Sequence, residues 1–207
     1  MIKRSLFFVV LILMTFVLSF AVPKVGSGAD TDGKYAVRGV GAAKCSQMVA
    51  AIDAKDQNMR KDAVLLYTSW LNGYLSYVNR VEKGTFDIIP LTDGSHLLAV
   101  IVGQCRKNPD ALVETIAYQV TGILSKAKVS TESPLVTLPV GNQKGIFRKA
   151  TLVAVQNKLI ALGHFKGKAD GEFGAGSQQA LRAFQKAEKL NETGFPDTDT
   201  LMRILLK

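Results

Sequence analysis

The chain has 207 residues, 47% of them apolar and 21% charged, which excludes a disordered tail or a low-complexity polymer and leaves room for one ordinary domain or two small ones. Lys and Arg number 26 against 17 Asp and Glu, a formal net charge of +9; spread this thinly, it suits an anionic polymer better than sequence-specific DNA reading, so no nucleic-acid partner is expected. Two Cys and two His are too few for a multi-ligand zinc site or an iron–sulfur cluster, and no metal or other cofactor is expected.

Lys3 and Arg4 precede an apolar run from Leu6 to Leu18, and Ser19-Phe20-Ala21 places small residues before a cleavage point after Ala21. This pattern predicts a secretory signal peptide over residues 1–21. If retained, residues 5–22 reach the lower limit of length for a membrane anchor. Cleavage is the expectation, giving a periplasmic or extracellular protein with no stable membrane insertion. In an oxidising compartment, Cys45 and Cys105 are expected to form one disulfide, with two buried free thiols as the alternative.

Residues 22–41 hold five Gly and no apolar period, and read as a flexible lead-in. Helical periodicity begins at Cys45 with Met48, Val49 and Ile52. After a polar stretch from Asp53 to Lys61, a long helix from Asp62 to Val81 places Leu66, Trp70, Tyr74, Tyr77 and Val81 on one stripe. Leu71, Leu75 and Val78 fill a second stripe. Gly84 and Pro90 break the pattern, and Leu98, Ile101, Val102 and Cys105 restart it. Asn108-Pro109 reads as the start of a last helix, which Leu112, Ile116, Val120 and Ile123 carry to about Lys126. Residues 42–127 are thus predicted to be a disulfide-tied four-helix bundle. Residues 128–145, with two Pro and no helical period, read as a linker. The alternation of Val136, Leu138 and Val140 offers a short edge strand instead.

From Ile146 the pattern is helical again, with Leu152, Val155, Leu159 and Leu162 on one stripe and Gly163 as a stop. A turn-rich stretch from Gly167 to Gly176 contains Asp170-Gly171, whose tight turn needs a positive φ. A second helix turns Ala180, Leu181, Phe184 and Leu190 inward, and Asp197 caps a third through Leu201, Ile204 and Leu205. The run Val155-Gln156-x-x-Leu159, Leu162-Gly163, Gly167-x-x-Asp170-Gly171-x-Phe173-Gly174, Ser177-x-x-Ala180-Leu181-x-x-Phe184-Gln185, Thr193-Gly194 and Asp197-x-x-Thr200-Leu201 resembles the peptidoglycan-binding domain family of three-helix cell-wall modules. Departures are few: Ser177 sits where Thr is usual, His164-Phe165 where two aromatics are common, and Glu188-Lys189 replaces a more usual His-Gly. The whole chain is then all-α: a bundle followed by a three-helix module over residues 146–207.

The resemblance implies peptidoglycan as the partner. Phe173 and Phe184 read as core, and Gln156 and Gln185 as hydrogen-bonding loop backbone. The candidate ligand contacts are His164, Lys166, Lys168, Gln178 and Arg182, because stem-peptide carboxylates and glycan hydroxyls want cationic and amide donors. Cys45, Trp70-x-x-Gly73-Tyr74 and Cys105-x-x-Asn108-Pro109 make the bundle similar in outline to periplasmic acid-stress chaperones of the HdeA type and to immunity proteins of type VI secretion. No catalytic constellation is found. Ser125-x-x-Lys128 lacks the partner motifs of a penicillin-binding nucleophile, Gly39-x-Gly41 follows no strand, and His96 sits in a helix start. The expected function is that of an exported, non-catalytic cell-wall protein whose module tethers the bundle. The alternatives are a wall hydrolase or its accessory subunit targeted by that module, and a chaperone-like or immunity protein with a protein client for the bundle.

Overall fold

A computed structural model describes residues 29–92 and 94–207; the expected signal peptide lies outside them. The chain divides into two compact units, up to Ala36 and from Val37 to Lys207. In the first, the Asp30 carboxylate accepts from the amides of Asp32 and Lys34 and closes a turn. Among the described residues, the second unit runs α1 (Cys45–Ile52), α2 (Gln57–Val81), α3 (Gly94–Cys105), α4 (Val113–Leu124), β1 (Leu135–Val140), β2 (Gln143–Arg148), α5 (Lys149–Ala161), α6 (Ala175–Ala187) and α7 (Thr198–Leu205). The protein is mostly helical, and no described helix is long and apolar enough to cross a membrane.

The first four helices close around Met48, Leu71, Leu97, Ile101 and Ala117. Cys45 and Cys105 are disulfide-bonded and fully buried, joining α1 to the end of α3. The long helix begins before Asp62, because the Asp56 carboxylate accepts from the Asn58 and Met59 amides and caps it at Gln57. Its buried stripe is Ala63, Tyr67, Leu71 and Leu75, whereas Leu66, Tyr77 and Val81, expected inside, are exposed. With two apolar stripes on one helix, only one can face the bundle. Trp70 is held from the other direction: its indole donates to the Arg38 carbonyl at 2.9 Å and its ring stacks on Tyr74. A Cβ on Gly41 would lie 2.1 Å from that ring, so the lead-in is fixed from the 3-10 turn Gly39–Ala42 onward rather than flexible to residue 41.

The last bundle helix starts at Val113, not at Asn108-Pro109. The amides of Cys45 and Ser46 take the carbonyls of Ala111 and Pro109, holding that stretch out of the helix, while the Asn108 amide donates back to Gln104. Residues 135–145, read as linker, instead belong to an antiparallel hairpin that extends to Arg148, so the module's first helix begins at Lys149 and not at Ile146. The alternation seen at Val136, Leu138 and Val140 is the strand signal, and a two-residue turn, Gly141-Asn142, closes it with Gly141 at φ 57°. Leu138, Val140 and Phe147 are buried, and Phe147 meets Phe195 edge to face at 5.5 Å.

Polar contacts stitch this hairpin to the bundle. The Thr92 hydroxyl donates to the Ile146 carbonyl. The Arg148 guanidinium donates to Asp87 at 2.8 Å and lies 4.7 Å from the Phe86 ring. Asp87 is also within 3.5 Å of the Asn79 amide. Beyond it, α5, α6 and α7 pack Leu152, Val155, Leu159, Leu181, Phe184 and Ile204 into one core.

Candidate functional site

The three-helix module is built on one device used twice. Gln156 on α5 is fully buried; its Oε1 accepts from the Gly171 amide at 2.7 Å, and its Nε2 donates to the Glu172 carbonyl and the Ser177 hydroxyl. Gln185 on α6 is equally buried; its Oε1 accepts from the Gly194 amide at 2.8 Å, and its Nε2 donates to the Phe195 carbonyl and the Thr200 hydroxyl. Gly171 and Gly194 have φ of 78° and 71°, the left-handed region where a side chain is strained. In each half the glycine lies six residues before the hydroxyl, and the helix N-cap, Gly174 or Asp197, lies three before it. Each helix therefore fixes the loop that follows it and the start of the next helix. Phe173 and Phe184 are both in the core, and Gly163 ends α5 at φ 77°.

These loops carry the candidate ligand groups to two separate places. Gln178 and Arg182 share one face of α6 beside Gly194, whose missing Cβ would meet the Gln178 carbonyl at 2.9 Å and the Arg182 side chain at 3.0 Å. The Gln178 amide donates to the Phe173 carbonyl, so part of its capacity serves the loop. The half-buried His164 instead meets Phe184 edge-on, about 120° or more around α6 at about 100° per residue. Lys166 and Lys168 are exposed on the loop beyond it. The Glu172 amide donating to Asp170 holds that carboxyl below the usual carboxylate range, helped by the Lys168 charge.

Next to His164 lies a feature that sequence reasoning missed. Glu188, Leu190, Asp199, Met202, Arg203, Leu206 and Lys207 line an open groove of about 590 Å³ between the end of α6 and α7. The Glu188 carboxylate accepts from Lys207 and lies 3.8 Å from Arg203. Its pKa is held low first by the Lys207 hydrogen bond and then by the charges of Lys207, Arg203 and His164. The only hint in the sequence is Glu188-Lys189 standing where the resemblance leads one to expect His-Gly. Lys189 has φ 58°, the conformation that makes glycine the natural residue there.

Chemically, the groove offers an apolar floor, two carboxylates and two cations, a set that can hold a short chain bearing both amines and carboxylates. Among the described residues, no group of three or more His, Cys, Asp or Glu is placed to hold a metal ion. No curated protein and no solved structure matches the chain. The likeness of the bundle to HdeA-type chaperones is not shown. The module itself is recognised: residues 148–204 match the family described as putative peptidoglycan binding domain.

Proposed function

We propose that this is an exported protein that binds peptidoglycan through its C-terminal module, without cutting it, and so holds the helical bundle at the cell wall. The family match over residues 148–204 carries the reading. Charge supports it: residues 146–207 hold 10 Lys and Arg against 6 Asp and Glu, a local excess suited to a polymer bearing carboxylates. In this reading Arg182 and Gln178 form one contact, and His164, whose charge reaches Glu188, forms another with the exposed Lys166 and Lys168 of the following loop.

Co-sedimentation of the purified protein with sacculi tests this. Binding is expected at a dissociation constant of about a micromolar or weaker. It should weaken with salt, which screens exposed charges beyond about 10 Å at 0.1 M, and should persist in part through hydroxyl and amide contacts. The turbidity of the sacculi should stay constant. Protein left in the supernatant at low salt overturns the binding, and clearing of the suspension overturns the non-catalytic role.

A further inference from the structure

The longest helix leaves one side of itself uncovered. Leu65, Leu66 and Tyr77 on α2 are 68%, 55% and 65% exposed, an unusual load of apolar surface for one helix. The exposed seam through Leu66, flanked by Leu65 on one side and Tyr77 on the other, reads Asp62, Leu66, Ser69, Gly73, Ser76, Arg80, in alternating steps of four and three, the spacing with which one helix packs along another.

That seam is complementary to itself when reversed. An antiparallel copy crossing at the height of Leu71 sets Asp62 against Arg80, Leu66 against Ser76, and Ser69 against Gly73. Asp62 and Arg80 are both exposed and lie about 27 Å apart along the helix, too far to meet within one copy. Three small residues occupy the middle, where two backbones must come closest. A Cβ on Gly73 would meet nothing within 4 Å in its own fold, although glycine inside a helix costs about 0.5–1 kcal/mol relative to alanine.

We propose that α2 pairs antiparallel with α2 of a second copy of this chain, in a symmetric dimer whose two-fold axis passes at the height of Leu71. The reversed charge register selects this occupant, because each copy supplies both members of the Asp62–Arg80 pair. One helix pair is a small interface, so the dissociation constant should be on the order of tens of micromolar.

Sedimentation equilibrium of the purified protein tests it. The wild type should dimerise reversibly. Asp62→Arg alone and Arg80→Asp alone should each weaken the dimer about tenfold, since each turns two attractive pairs repulsive. Mixed together, these two variants should form a heterodimer. One end then keeps the native Asp62–Arg80 pair, and the other carries the same pair with its charges exchanged. A misfolded variant cannot give that result. Gly73→Leu should abolish association while circular dichroism shows the helices intact. A wild type that stays monomeric at about millimolar concentration overturns the proposal and leaves the face to a different partner. So does a dimer that these variants leave unchanged.

Discussion

Replacing Gln185 by Leu keeps the volume of a fully buried side chain and removes its amide. The Gly194 amide then loses its 2.8 Å acceptor, and the Thr200 hydroxyl loses its 3.0 Å donor. The Phe195 carbonyl stays satisfied, because it still accepts from the Asp197 amide at 2.9 Å. An unsatisfied buried polar group costs about 1–3 kcal/mol, and the Gly194 N–H, with no solvent to turn to, falls in the upper half of that range. The two losses together should cost about 3–4 kcal/mol. At about 2–4 °C per kcal/mol for a protein of this size, the melting temperature should fall by about 10 °C. Calorimetry gives that number, and hydrogen exchange should show the Gly194 amide losing at least about a hundredfold of its protection, the equivalent of about 3 kcal/mol. Gln156→Leu should behave alike, because Gln156 accepts from Gly171 and donates to Glu172 and Ser177 in the same geometry. If Gln185→Leu melts within about 2 °C of the wild type, the loops are not held by the amides and the repeated device has no energetic meaning.

Other consequences can be measured on the same protein. Arg148→Ala should cost about 3 kcal/mol, because it strands Asp87, whose side chain is only 12% exposed. Arg106→Ala, which breaks a pair with Asp53 at about half exposure, should cost under about 1 kcal/mol; equal losses in chemical denaturation would refute the distinction. Lys189→Gly should raise stability by about 1 kcal/mol by relieving the φ of 58°, and a lower unfolding midpoint would count against it. Asp170 and Glu188 both have folded pKa values below their unfolded ones. Their contribution is therefore complete above the unfolded carboxylate range and is lost as pH falls through the folded values. Melting temperature should drop below about pH 4, and the combined Asp170→Asn and Glu188→Gln variant should show a shallower fall; an unchanged slope would refute the assignment.

What the sequence reveals of this molecule follows from where local chemistry has only one solution. The Gln-to-Gly spacing of the C-terminal module is such a case. A buried amide facing a left-handed glycine needs both residue types, so the motif and the geometry are the same fact. Asp197 as a cap is another, since its carboxylate accepts from the Thr200 amide at 2.8 Å. By contrast, α2 offers two apolar stripes of comparable strength, and no local rule says which one the bundle covers. That choice is made by distant residues: Gly39 and Gly41 beneath Trp70, and Gly94 at the start of α3 against Asn72 and Thr68. The hairpin is hidden for a related reason. Pro139 and several Ser and Thr resemble a linker, and the strand is defined only by its pairing with residues 143–148. The Glu188 groove was the least legible feature of all, because Glu188, Arg203 and Lys207 meet only after α7 folds back against α5 and reaches the end of α6. Arg148 joins these levels. It ends the hairpin, occupies the position before the first turn of α5 and pairs with Asp87 of the bundle, and the family match begins at the same residue. The residue at which the module begins is therefore also bonded to the segment that follows α2, so that pair and the Thr92–Ile146 bond both fix the hairpin against the bundle.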